Sequence, residues 1–155
     1  RRLETERLLR VLADLGRVGG SAGPWVPRAV QQGGAIAQIR PGSCVSACVE
    51  MLTDGARSQT QVLREIGEWP IIDDRILRAL GPEWQGGFLT DGASALAVAQ
   101  KGKVGALIHV GRSDFHMVVI EPAGAGFLVR DPLPGMSYTV DSDWIQQWIV
   151  GGYWR

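Results

Sequence analysis

Four residues have types and an order suited to nucleophilic chemistry on a carbonyl: Gln38, Cys44, His116 and Asp131. Cys44 follows Pro41-Gly42-Ser43 and opens an amphipathic pattern, so its thiol is placed at a helix N-terminus. A thiol attacks as thiolate, and a helix N-terminus together with a nearby imidazolium stabilises that anion. His116, in Phe115-His116-Met117-Val118, is the candidate base. Asp131, in Val129-Arg130-Asp131-Pro132, ends the next strand-like run, where a hairpin register can carry its carboxylate to the imidazole. Attack on an amide builds negative charge on the carbonyl oxygen. Gln38, six residues before Cys44, is the candidate side-chain donor to that oxyanion.

Each residue also has a plainer use. Cysteine is commonly a core residue, and that describes Cys48, which shares an apolar stripe with Val45, Val49 and Leu52. His109 reads as a half-buried strand histidine. Asp131 before proline is also a turn former, and Asp114 is a rival partner for His116, though solvation at a loop-like end is its simpler use. Ser43 reads as the helix N-cap. Cys44 and Cys48, on consecutive turns of one helix, present poor vectors for a disulfide. With only two histidines in the chain, a metal site lacks ligands.

The elements that must carry these residues fall into two halves. Leu8, Leu9, Val11, Leu12 and Leu15 predict an amphipathic helix over about residues 3–18, followed by a Gly-, Pro- and Ala-rich linker to residue 34 in which Trp25 docks against the body. Residues 1–34 are thus read as an appendage and 35–155 as the catalytic domain. Residues 35–39 predict a short extended segment, and helices follow from Cys44 to about Thr53, after Ser58, after Asp73-Asp74 and after Asp91. The period then changes. Runs at 104–110, 115–121 and 126–131 predict an antiparallel meander, with an edge strand at 138–140, a helix from Asp141 or Ser142 through Trp148, and a last strand at 153–154. Trp144, Trp148 and Trp154 are expected to close the sheet. Helices first and strands later make the fold class α+β.

The chain has 155 residues, 45% hydrophobic and 21% charged, in the range of a single domain with a true core. Sixteen basic residues balance sixteen acidic ones, which argues against a nucleic-acid partner held by charge. No apolar run approaches the ~20 residues of a membrane helix, and no secretory signal is legible, so a soluble chain without membrane insertion is expected. The first residue is Arg1, which reads as a fragment or processed product.

The ordered set Gln38, Cys44, His116 and Asp131 resembles the papain-like cysteine peptidases, and within them the small bacterial peptidases that process bacteriocins after double-glycine leaders. The likeness covers roughly residues 36–155 by pattern. It implies a helical half carrying the nucleophile, packed on a C-terminal antiparallel sheet, with Cys44 as nucleophile, His116 as base, Asp131 as its orienter and Gln38 as oxyanion donor, and no cofactor. Many members have Asp-Cys-Gly or Cys-Trp where this chain has Ser43-Cys44-Val45. The resemblance implies a protease acting on a protein or peptide substrate. Glutamine deamidation and transglutamination use the same thiol chemistry. Papain-like domains of this size also occur as toxic tails of bacterial polymorphic effectors, which fits the appended helix and linker. That reading expects secretion within a larger effector, action in a recipient cytoplasm and a cognate immunity protein as partner; without it the domain is expected in the cytoplasm. The remaining readings are a double-glycine leader peptidase of a peptide exporter and, outside enzymes, an inactive peptide-binding module.

Overall fold

The computed structural model describes residues 35–109, 115–133 and 135–155. The expected N-terminal helix, the linker with Trp25, and Asp114 lie outside these residues. The helices are α1 (Cys44–Leu52), α2 (Gln59–Ile66), α3 (Asp74–Leu80), α4 (Gly92–Lys101) and α5 (Ser142–Trp148). The strands are β1 (Gln85–Phe88), β2 (Val104–His109), β3 (Phe115–Ala123), β4 (Gly126–Asp131), β5 (Met136–Val140) and β6 (Ile149–Trp154). They form one antiparallel sheet in the order β1-β6-β2-β3-β4-β5. The architecture is therefore α+β. No helix among the described residues is long and apolar enough to cross a membrane.

Side chains start the helices where sequence chemistry predicts. Ser58 Oγ accepts from Gln61 N at 3.1 Å, Asp73 Oδ1 from Arg75 N at 2.8 Å, Asp91 Oδ1 from Ser94 N at 2.8 Å and Asp141 Oδ1 from Trp144 N at 2.9 Å. Each satisfies an amide that the helix leaves unpaired, which is worth about 1 kcal/mol. Ser43 departs from this rule. It stands at the N-cap of α1 without a side-chain cap bond.

Strand alternation divides the core in two. Val118, Ile120, Val129 and Tyr138 pack with Trp144, Ile145 and α4 on one face, with Trp148 and Trp154 against the same cluster. Met117, Val119, Leu107 and Tyr153 pack with α1, Val62, Ile76 and Trp84 on the other. The three tryptophans thus close the sheet as expected. Helix α1 is buried beyond its predicted stripe, since Ser46, Ala47 and Met51 are covered as well.

Residues 35–38 join no strand of the sheet; Gln38 N donates one bond, to Pro132 O at 2.8 Å. The unpredicted β1, in contrast, is built on Gln85-Gly86-Gly87-Phe88 and pairs with β6. Its glycines hide it from a pattern search but explain the contact. A Cβ on Gly151 would lie 2.4 Å from Gly87 O, and one on Gly86 would lie 2.8 Å from the Tyr153 ring. Only small residues permit that approach. β6 is also longer than expected and lies between β1 and β2.

Candidate active site

The β3–β4 ladder runs from Ala123↔Gly126 to Val119↔Arg130, whereas β2 continues beside β3 to His109↔Phe115. His116 is thus paired to Ile108 on one side and has no β4 partner on the other. One step past the last β3–β4 pair, Asp131 falls opposite Val118, which makes it a diagonal neighbour of His116 on the same face. Across the next hairpin Val129 pairs with Tyr138 and Asp131 with Met136, so Tyr138 is the corresponding diagonal neighbour from β5. Diagonal positions are within reach of aromatic side chains.

The side chains use that reach. His116 Nε2 lies 2.7 Å from Asp131 Oδ1, and Tyr138 OH donates to Asp131 Oδ2 at 2.8 Å. Leu133 N also donates to Asp131 Oδ1, at 3.0 Å. Asp131 therefore serves both readings of it, ending the strand with a turn and holding an imidazole. His116 is 1% exposed and Asp131 0%.

Cys44 lies close enough to the same imidazole for its side chain to help raise the His116 pKa. With Nε2 turned to Asp131, Nδ1 is the nitrogen left for the thiol. Burial alone would lower the pKa of His116, but the Asp131 carboxylate, its hydrogen bond and the Cys44 side chain outweigh it and raise the value to about 10. His116 is therefore an imidazolium at neutral pH, the partner a thiolate requires. Cys48 answers to its core reading. It is 0% exposed, its Sγ lies 3.4 Å from Met117 O, and burial first, then Cys44 and Asp131, push its pKa well up.

The turn ahead of Cys44 is held by side chains absent from the sequence-based site. Gln59, buried on α2, accepts from Ile39 N and from Ser43 Oγ, both at 2.8 Å, and donates to Ala37 O at 3.0 Å. Its own N–H donates to Glu50 Oε1. Gly42 N donates to Glu68 Oε1 at 3.2 Å and Gly42 O accepts from Trp69 N at 2.9 Å. A Cβ on Gly42 would lie 2.6 Å from Trp69 Cε2 and 2.8 Å from Glu68 Cβ, so glycine lets the turn lie flat against that ring.

This clamp alters two sequence-based roles. Ser43 was expected to cap α1, but its hydroxyl lies 2.8 Å from Gln59 Oε1 and 3.0 Å from Arg40 O and takes up no amide of the helix. Gln38 was expected to offer its amide to an oxyanion. Its Nε2 instead donates to Arg40 O at 2.9 Å and Pro41 O at 2.8 Å, which engages both protons within the turn. His109, expected half-buried, is exposed and stacks on Phe115 with ring centroids 4.9 Å apart.

The structure thus brings Cys44, His116 and Asp131 together and places Gln38 in the adjoining turn. No protein-family model matches this chain, and no curated protein matches it. What defines it is the array itself, an imidazole bonded to a carboxylate with a thiol beside it, within an α+β fold.

Proposed function

We propose that this chain is a papain-like cysteine hydrolase that cleaves amide bonds of a protein substrate. The observation that carries the reading is the buried His116–Asp131 pair with Cys44 beside it, a setting that raises the His116 pKa to about 10. Cys44 Sγ attacks the carbonyl carbon as thiolate and His116 gives its proton to the departing amine. Water then resolves the thioester, with His116 as base. Asp131 holds the imidazolium and is itself held by Tyr138 and the Leu133 amide. The oxyanion is assigned to the amides that open α1, which the Ser43 hydroxyl leaves uncapped. Gln38 braces the turn that presents them.

The chemistry does not by itself fix the acyl acceptor or the leaving group. Comparing new protein N-termini with newly deamidated or cross-linked glutamines, after exposure of a proteome to the wild type and to Cys44→Ala, separates proteolysis from the glutamine reactions. Cys44-dependent N-termini are expected. Unchanged activity of Cys44→Ala on a substrate so found would remove the enzymatic reading. The proposed setting, a toxin domain checked by an immunity protein, predicts growth arrest on bacterial expression that disappears in Cys44→Ala.

Iodoacetamide distinguishes an enzyme from an inactive binding module. Cys44, 7% exposed and beside the His116 imidazole, is expected to alkylate near neutral pH well before Cys48, which is 0% exposed. Equal and slow labelling of both thiols would favour the module.

A further inference from the structure

The hydrolase reading leaves the substrate class open, and the turn before Cys44 bears on it. That turn holds Ile39 and Arg40 out to solvent, Ile39 at 59% exposure. A merely solvated loop needs little internal anchoring, yet both residues are fixed by buried or partly buried polar groups. Ile39 N donates to Gln59 Oε1 at 2.8 Å, Arg40 N to Ser43 Oγ at 3.0 Å, and Arg40 O accepts from Gln38 Nε2 at 2.9 Å. Pre-organisation of this kind lowers the entropy cost of binding at the exposed side chains.

Ile39 and Arg40 separate two recesses and line both. One, of about 210 Å³, is completed by Gln38, Pro41 and Leu133, whose backbone N–H is bonded to Asp131 Oδ1. The other, of about 360 Å³, includes Leu63, Arg64 and Glu68. Its charges do not cancel. Arg40 and Arg64 are in no ion pair among the described residues, while Glu68 contributes one carboxylate, an oxygen of which accepts from Gly42 N. Arg64 lies five residues along α2 from Gln59, about 7.5 Å at the helical rise. Two or three residues of extended chain cover roughly that distance.

Resting on the hydrolase reading, we infer that these recesses form one groove for an extended polypeptide, which lays an apolar side chain against Ile39 and an acidic side chain between Arg40 and Arg64. The enzyme then selects for Asp or Glu at a fixed separation from the cleaved bond.

Cleavage-site profiling on a proteome-derived peptide library tests this. The wild type is expected to show Asp and Glu enriched at one position on one side of the bond. Arg64→Glu is expected to lower the acidic-over-basic preference there by about five- to tenfold, since reversal replaces an exposed attraction with a repulsion. Lys101→Glu, the same charge change on α4, is expected to leave the ranking intact. Cleavage without acidic enrichment, or enrichment untouched by Arg64→Glu, would overturn the groove and leave the hydrolase standing. A second measurement needs no turnover: anisotropy of labelled Glu-rich and Lys-rich peptides of equal length on Cys44→Ala protein. Preference for the Glu-rich peptide, reduced by Arg64→Glu, supports the groove, and equal binding of the two overturns it.

Discussion

Cys44 and His116 arrive at one place from scaffolds of opposite kinds. His116, Asp131 and Tyr138 stand on three neighbouring strands, and backbone register alone sets them at diagonal positions. Cys44 follows an irregular turn fixed by side chains reaching in from elsewhere: Gln59 and Glu68 by hydrogen bonds, Trp69 by backbone bond and ring contact. Register repeats along a ladder and tolerates the loss of one contact. A clamp of single contacts does not. Substitutions on the sheet side should therefore alter electrostatics with the geometry kept, and substitutions on the turn side should alter geometry with the electrostatics kept.

Asp131→Asn is the strongest test on the sheet side. It preserves shape but removes the charge that holds the imidazolium, and turnover is expected to fall about 10³-fold, at the middle of what acid–base partners contribute. Its pH signature has a definite sign. The His116 value of about 10 lies above the ordinary 6.5, so the native state retains a proton that the unfolded chain releases. The stability this contributes is complete below pH 6.5 and is lost as pH rises to 10. Urea midpoints of the wild type should decline across that window, and those of Asp131→Asn should decline less. A wild-type profile that is flat from pH 7 to 10 would contradict the charged imidazole.

Gly42→Ala is the corresponding break on the turn side. A methyl 2.6 Å from the Trp69 ring must move the ring or the turn. Overpacking of this kind costs about 1–3 kcal/mol, and a displacement near 1 Å at the nucleophile costs about 10²-fold in turnover. The basic limb of the pH profile should stay where it is, which separates this loss from that of Asp131→Asn. Kinetics from pH 6 to 10.5, with a urea melt, measure both.

Tyr138→Phe sharpens the comparison with the smallest change. It removes one charge-assisted hydrogen bond to a buried carboxylate oxygen, an expected cost of about 1–3 kcal/mol in stability. Turnover is expected to fall by less than about tenfold, because Asp131 still faces His116. A loss as large as that of Asp131→Asn would show that Tyr138, and not the ladder, sets the carboxylate.

The same contrast explains what could be read from the sequence. Strands β2 to β4 follow from branched residues between glycine turns, and the pairing of His116 with Asp131 follows from their hairpin. Tyr138 was accessible by continuing that register from β4 into the run at 138–140, since it lies as far from Asp131 in the ladder as His116 does. Gln59 carried no such signal. It follows a helix-capping serine and looks like a solvated first-turn residue, and only the tertiary fold buries it against the Cys44 turn. Ser43 misleads for the same reason, because Gln59 competes for its hydroxyl. Strand β1 was hidden by Gly86 and Gly87, whose lack of side chains erases alternation while permitting the close contact with β6.

β6 also bears on how the molecule assembles. The meander carrying His116 and Asp131 is complete by residue 140, and the thiol-bearing helix with α2 and α3 is complete by residue 80. Yet β1 joins the sheet only through β6, and Tyr153 OH bridges Asp73 N at 3.0 Å and Ile71 O at 2.5 Å ahead of α3. β6 is thus the strand that ties β1 and the approach to α3 to the meander. A chain lacking residues 149–154 would still carry Cys44, His116, Asp131 and Tyr138 but would have lost the tie that joins β1 and the start of α3 to the sheet.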